Sequence, residues 1–405
     1  MSSHEHAAPI DKPLFTSGVK IILACMMIGL SVGLYRLFTG LGGVTNLDNQ
    51  YPLGLWIGVD VATGVALAAG GFTTGALVYI FHREYFHAII RPALLTAMLG
   101  YTFVGIGLIF DLGKWYAIWH PAIPMMWQGN SVLFEVGMCV MCYIVVLYME
   151  FMPIVIERFL GNVNLPGKLA VLNEPVDTLL RLLDHVFDKI MFIFIIAGVA
   201  LSCLHQSSLG TLMVITPHKL HPLYWSLFSP LFFLSSAFAV GLCMVIFESM
   251  IAFKSFGRRP EMHILTPLAK YIPFLLGFYI AIKIGDMIHR GSYLFLLEGS
   301  LPSIMFWIEF GLLTIVPFFM FMSSEVRRSP GCLFTAAAMY IIGILLNRVT
   351  VFFIAYQPLY AEKAYFPAIG EFALTIGLIA TIMFIYRLLV TIFPVLPAPE
   401  RTNLT

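Results

Sequence analysis

Charge is scarce in this chain. Of its 405 residues only 11% are charged and 60% are hydrophobic, and mean hydropathy is +0.90. A soluble domain carries about 25% charged residues, so a string of soluble domains is excluded and a helical membrane protein is expected. An excess of one sign is missing too. The net charge of +1 offers no basic field for nucleic acid. Cysteine is sparse, at six. Cys25, Cys139, Cys142, Cys203, Cys243 and Cys332 all lie in or beside apolar runs, and Cys139/Cys142 has no second Cys-x-x-Cys pair. A four-cysteine iron–sulfur cluster or zinc site is therefore not expected, and the thiols read as small packing groups. No phosphate-binding GxxxxGK[ST] loop occurs. His205 and His289 fall at the ends of apolar runs and His82 and His87 between two of them. No two histidines face each other at depth, so no haem is expected. No clean small-residue cleavage site follows the first apolar run, which reads as a retained helix.

What the chain has is ten runs long enough to cross a bilayer. They fall near 18–39, 54–81, 91–112, 131–152, 189–205, 227–252, 267–289, 302–322, 331–356 and 370–393. The fifth is short. Just before it, 174–188 places Leu179, Leu180, Leu183, Val186 and Phe187 on one helical face. Two readings stay open there: a helix lying on the membrane surface, or an extension of the fifth span. The tail beyond Pro394, with Pro397 and Pro399, is expected to be disordered.

Lysine and arginine set the orientation. Lys12, Lys20, Arg83, Arg91, Arg158, Lys168, Arg181, Lys189, Lys254, Arg258, Arg259, Lys270, Arg327, Arg328, Arg387 and Arg401 share one side; Lys114, Lys219, Arg290 and Lys363 share the other. The positive-inside bias places both termini in the cytoplasm, in agreement with an even number of spans. The expected layout is a cytoplasmic tail at 1–17, an integral membrane domain at 18–394, and a second cytoplasmic tail at 395–405.

This orientation gives depth to the few charges inside the spans. Such groups are expensive in a bilayer and are functional candidates by default. Asp60 lies in the outer part of span two, Asp111 closes span three, Asn130 and Glu135 begin span four, and His205 ends span five. A second group comprises Lys283 and Asp286 in span seven, Glu309 in span eight, Arg348 in span nine and Glu371 at the start of span ten. Bland readings stand beside these. Asp111 and Glu371 sit where snorkelling explains them. Lys283 and Asp286 are spaced to neutralise one another, and Arg348 can serve as counter-ion to Glu309 or Asp286. Asp60 and Glu135 are harder to dismiss, since neither has an opposite charge within a turn. Span two also carries Gly54/Gly58 and Gly71/Gly75, a spacing that lets helices approach closely and says packing rather than chemistry.

The stretches RPALLTAMLGY (91–101), NSVLFE (130–135), HQSSLGTLM (205–213), FWIE (306–309) and AYFP followed by Glu371 resemble the NrfD/PsrC/HybB family over residues 30 to 397, most closely its HybB type. These are quinone-reactive membrane subunits of respiratory oxidoreductases. The resemblance implies an all-α polytopic fold in the bacterial inner membrane. Two four-helix bundles, about 54–205 and 227–356, would stand beside flanking helices. It implies a periplasmic ferredoxin-like iron–sulfur partner, with the large and small subunits of a [NiFe]-hydrogenase behind it. Menaquinone or ubiquinone would bind in the first bundle near the outer face. Asp60, Asp111, Asn130, Glu135 and His205 match its motifs as quinone-binding residues, with Asp60 and Glu135 exchanging protons. Some relatives hold the quinone with a histidine and a tyrosine; Tyr51, Tyr101 and His120 are not assigned to those roles. Lys283, Asp286, Glu309, Arg348 and Glu371 are expected to form one network, either a proton route or a structural ion group. Two rival readings remain at this point: a secondary transporter, kept open by Pro273 and Pro317 inside spans, and a passive anchor for a periplasmic enzyme.

Overall fold

The computed structural model describes residues 7–257 and 260–397. Arg258, Arg259 and Arg401, three of the charges used for orientation, lie outside that range, as does the end of the C-terminal tail. Ten helices are long and apolar enough to cross a membrane: α1 Ser17–Thr39, α2 Trp56–Ile80, α3 Glu84–Asp111, α4 Val132–Phe159, α5 Gly167–Val214, α6 Ser229–Ser255, α7 Met262–His289, α8 Leu301–Met322, α9 Pro330–Ile354 and α10 Ile369–Ile392. Among the described residues there is no strand, only two isolated bridges, Ala7 with Pro397 and Leu220 with Tyr356. Helices are what such a sequence must form, because backbone polar groups in hydrocarbon have to be satisfied within the segment.

The packing gives two groups of four and an outlying pair. Helix α2 packs on α3 and α5, α3 on α4, and α4 on α5; α6 packs on α7 and α9, α7 on α8, and α8 on α9. Contacts of α2 and α5 with α6, and of α2 with α9, join the groups, while α1 and α10 pair with each other and lean on α3.

Two contacts show how small residues set this arrangement. A Cβ added to Gly70 on α2 would stand 2.9 Å from the Gly241 carbonyl oxygen on α6, and one on Gly241 would stand 2.7 Å from the Ala69 carbonyl carbon. At the outlying pair, a Cβ on Gly29 would stand 2.5 Å from the Gly377 Cα. Gly377→Val should therefore wedge α10 from α1 and cost about 1–3 kcal/mol, the usual range for overpacking. A lower melting temperature of the detergent-purified protein checks this, and an unchanged one would refute the close packing. Of the glycine pairs in span two, Gly71 does meet α3, with Ala97 Cβ 2.5 Å from an added Cβ, but Gly75 faces open space.

Several expectations need correction. The short fifth span is the membrane part of a continuous helix, Asn173–Val214. Residues 174–188 extend it and are not a separate surface helix. The tail does not fray at Pro394: Val395 and Leu396 are buried, and the Leu396 carbonyl accepts from the Ala8 amide at 3.1 Å. Residues 398–405 lie outside the described range. Span seven is interrupted at 269–271, between Met262–Leu268 and Ile272–His289, and Pro273 occupies the first turn of the second piece, where a missing N–H costs nothing; Pro317 follows a wide π turn within an unbroken α8.

The π turns are placed tellingly. Trp56–Thr63 on α2 and Trp307–Ile315 on α8 are both π-helical, and they contain Asp60 and Glu309. In each, a threonine hydroxyl donates to the carbonyl five residues back: Thr63 to Gly58 at 2.8 Å and Thr314 to Glu309 at 2.8 Å. Such turns recur at functional sites, because they re-aim a side chain without breaking the helix.

Candidate functional site

The charged and polar groups inside the bundle fall into three sets, and helix packing decides which residue joins which.

The first set lies among α3, α4 and α5. Ser131 caps α4, its hydroxyl accepting from the Phe134 amide at 3.3 Å. This fixes Glu135 in the first turn. Its Oε1 accepts from the Ser208 hydroxyl of α5 at 2.6 Å, and the residue is otherwise exposed. One turn before Ser208, His205 is fully buried. Its Nδ1 lies 3.3 Å from the Tyr101 hydroxyl of α3, which is 3.5 Å from Ser202 Oγ. The Tyr101 ring meets Tyr143 of α4 edge-on, centroids 4.4 Å apart. His205 Nε2 is buried without a partner. Beside it, Gln206 Nε2 donates to the Val65 carbonyl of α2 at 2.8 Å. Asn130 is exposed just outside. A carboxylate thus stands near one end of the first group of helices, and an imidazole with one free nitrogen and a phenol lie deeper among the same helices. Together they can donate to, accept from and exchange protons with a polar head group.

The second set lies among α1, α2, α3 and α10. Asp60 Oδ2 accepts from the Thr375 hydroxyl of α10 at 2.7 Å. Asp111, close enough to Asp60 to repel it, keeps one buried carboxyl oxygen unpartnered. Arg36 is fully buried nearby. It donates through Nε to the Phe110 carbonyl at 2.6 Å and through Nη2 to the Leu112 carbonyl at 2.5 Å, and it attracts Asp111. Glu371 belongs here. Its carboxylate accepts from the amides of Asn46 at 3.1 Å and Ala368 at 2.9 Å and from the Tyr365 hydroxyl, while its carbonyl accepts from Trp56 Nε1 at 3.2 Å. Burial, with Glu371 as hydrogen-bond partner, pushes the Tyr365 phenol well above its usual range.

The third set is the interior of the second group. Glu309 Oε1 accepts from Asn347 Nδ2 at 2.9 Å, and Arg348 donates to Asn347 Oδ1 at 2.7 Å and to Ser236 Oγ at 2.8 Å. The Arg348 guanidinium lies 3.6 Å from the Phe233 ring centroid. Lys283 and Asp286 do not neutralise each other. Asp286 pairs with Arg290 at 2.9 Å and accepts from Ser226 at 2.9 Å. The Lys283 ammonium instead lies 4.8 Å from the centroid of the Phe232 ring.

The expected five-member quinone group is thus divided. Among the described residues no hydrogen bond or shared partner joins Asp60 to Glu135; one turns toward α10, the other toward α5. Glu371, expected with Arg348, stands with Asp111 because α10 packs on α1 and α3. Tyr101, unassigned from sequence, joins His205, while Tyr51 stacks on Tyr365, centroids 6.0 Å apart. His120 meets its neighbour Trp119 edge-on in the outer loop. Sequence reasoning did not single out Tyr143, Ser208, Thr375, Asn347 or Tyr365. Signals were available for three of them: Ser208 lies in HQSSLGTLM, Tyr365 in AYFP, and Asn347 beside Arg348 makes a polar pair inside an apolar run.

Comparison with known proteins agrees with this architecture. The family model described as "Polysulphide reductase, NrfD" matches residues 43–359. The chain is 34% identical to the "Probable Ni/Fe-hydrogenase 2 b-type cytochrome subunit" of Escherichia coli, over 97% of this chain and 94% of the relative. It is 25% identical to the "Menaquinone reductase, integral membrane subunit" of Nitratidesulfovibrio vulgaris, over 98% of both chains. It is 24% identical to one of the selenate reductase subunits of Mesobacillus selenatarsenatis, over 97% of both. Among the described residues no group of three or more His, Cys, Asp or Glu stands together to hold a metal ion. With a family model matched across most of its length and a full-length relative above 30% identity, this ten-helix integral membrane chain belongs to the NrfD family of respiratory oxidoreductase membrane subunits.

Proposed function

We propose that this chain is the quinone-reactive subunit of a respiratory complex, passing electrons between a periplasmic iron–sulfur subunit and the menaquinone or ubiquinone pool. The observation that carries the reading is the pair of contacts among α3, α4 and α5, Glu135 with Ser208 near the end and Tyr101 with His205 deeper in. The relatives named for menaquinone reductase and for hydrogenase support it, and the second suggests a [NiFe]-hydrogenase as the attached enzyme. A quinone supplies two-electron, two-proton chemistry. The chain supplies the rest. His205 Nε2 is free to bond a carbonyl oxygen on which charge develops, and Glu135, open on one side, exchanges protons there. In this reading electrons come from a docked partner. Trp115, Tyr116, Trp119, Met125, Met126 and Trp127, exposed on the loop between α3 and α4, give that partner an aromatic-rich surface on the same side as Glu135.

The inner bacterial membrane and cytoplasmic termini complete the reading. The lysine and arginine bias supports them. A reporter fused after Thr405 should be active only in the cytoplasm, and one inserted near Asn49 only in the periplasm; the reverse pattern would invert every depth assigned here. Purification tests the function itself. The detergent-extracted chain should bring with it an iron–sulfur subunit and a bound quinone, and the isolated complex should reduce or oxidise quinone analogues. A chain that assembles with its enzyme while quinone turnover persists without it would be a passive anchor.

A further inference from the structure

The interior of α2, α3, α4 and α5 holds a cavity of about 190 Å³. It lies at the opposite end from Glu135. Its lining includes Tyr79, His87, Arg91, Tyr143, Glu150 and Glu157. Glu150 and Glu135 share helix α4, and fifteen residues separate them, or ~22 Å along the axis at ~1.5 Å per residue. The cavity begins at the end of the bundle where Arg91 pairs with Glu157 at 2.7 Å. It reaches Tyr143, whose ring packs on Tyr101, the partner of His205.

We propose that this cavity is a cytoplasmic proton-entry chamber and that Glu150 is its relay group, feeding protons through Tyr143 and Tyr101 to the His205–Glu135 end. The proposal rests on the quinone reading above and names the compartment from which that site draws protons. Three observations converge on it. First, Glu150 makes no hydrogen bond or ion pair among the described residues, although it is largely enclosed. Second, room is left for it: a Cβ on Gly198 of α5 would stand 2.6 Å from Glu150 Oε1. A side chain there would make the flexible Glu150 carboxyl shift. Third, hydroxyl-bearing groups continue beyond it in one direction. Tyr143 follows at the cavity wall, then Tyr101 with Ser202 at 3.5 Å and His205 at 3.3 Å, then Ser208 against Glu135 at 2.6 Å. A cavity of this size with polar groups on its wall accommodates several waters, which bridge the stretch between Glu150 and Tyr143. The groups facing Glu150 from the packed helices are Tyr79 of α2, Arg91 and His87 of α3, Tyr143 and Glu157 of α4, and the bare backbone at Gly198 of α5.

The balance of the step is simple. Reduction of one quinone takes two electrons from the docked iron–sulfur protein and two protons, and forms two O–H bonds. With entry from the cytoplasm, both protons leave that compartment while the electrons arrive from the outer side, so turnover separates charge across the membrane.

The test uses the purified complex in liposomes, oriented with the cytoplasmic face inward and a pH-sensitive dye trapped inside. In the wild type the interior should become alkaline in step with quinone reduction. Glu150→Gln should reduce interior alkalinisation at least tenfold. Gly75→Leu is the independent variant. Gly75 lines the cavity and has no atom within 4 Å of its Cβ position, so a side chain can start there without a clash, and leucine narrows the chamber while Glu150 stays in place; it should show the same loss. Interior alkalinisation at the wild-type level in either correctly assembled variant would overturn the proposal. So would wild-type quinone turnover that takes its protons only from outside, which would leave the quinone reading standing. Absence of quinone turnover in the assembled wild type would instead sink the quinone reading, and the chamber's role with it.

Discussion

Glu135→Gln should lower quinone-linked electron transfer by roughly 10²-fold, the usual scale for losing a general acid–base group, in a complex that still assembles. Glutamine keeps an oxygen to accept from the Ser208 hydroxyl, now 2.6 Å from Oε1. The α4–α5 contact survives and only the exchangeable proton is lost. Tyr101→Phe should act on the same site from behind. It removes the hydroxyl 3.3 Å from His205 Nδ1 and leaves a second imidazole nitrogen without a bond, since Nε2 already has none. Asp60→Asn is the informative comparison. If the two carboxylates worked as one group, both substitutions would abolish turnover alike. The observed bonding gives another expectation. Asp60 accepts from Thr375 of α10, asparagine can accept there too, and turnover should fall far less than with Glu135→Gln. Quinone-analogue reduction by the isolated complex, measured beside the dye-linked activity of its partner, separates these outcomes. Full quinone-linked rates with Glu135→Gln would remove this residue from the site.

Depth along the membrane was legible in the sequence; direction across it was not. A helix rises about 1.5 Å per residue, so once orientation is fixed, position in a span gives height directly. That is why Asp60, Asp111, Glu135, Glu309, Arg348 and Glu371 could all be placed toward one side, whereas His205, expected at the end of span five, lies well inside a helix that runs on to Val214. Which neighbour each meets depends on how far its helix is turned, and packing sets that. Glu371 shows the difference. Its height suited either group, and the close approach of Gly377 to Gly29, which holds α10 on α1, delivered it to Asp111 and Trp56. The π turns at Asp60 and Glu309 were equally hidden. Each depends on a shift of backbone hydrogen bonds that no hydropathy pattern records. The long α5 was left open beside a surface helix for a different reason. Residues 174–188 carry Asp177, Arg181, Asp184 and Asp188; a hydropathy window ends there, while the helix, once begun, has no reason to. The spans themselves were plain because a bilayer leaves few alternatives for twenty apolar residues in a row.

Arg348→Leu should be the most damaging change in the second group of helices, costing about 3–5 kcal/mol, the range for breaking a buried charged contact. The side chain is 1% exposed. Its guanidinium joins α9 to α6 through Ser236 and stacks on Phe233, and through Asn347 it steadies the amide that donates to Glu309. Leucine fills part of the space but leaves Ser236 and the Asn347 oxygen without their donor. It also leaves the buried Glu309 with less positive charge nearby. Asn347 would then be free to turn, and its hydrogen bond to Glu309 would loosen. Arg348→Lys tests whether charge or shape matters. A lysine keeps the charge, but it cannot donate to Asn347 and Ser236 from one plane while stacking on a ring, so an intermediate loss is expected. Both are read as a fall in the melting temperature of the detergent-purified chain and in the yield of assembled complex. The proton-route alternative for this network predicts the opposite pattern: normal melting and assembly with impaired quinone-linked proton uptake. We expect the structural pattern. Arg348 is held by neutral oxygens and an aromatic face, with no carboxylate within salt-bridge distance, and a group so held has no proton to pass on. Wild-type melting, assembly and proton uptake in Arg348→Leu together would show that the network contributes neither stability nor transport.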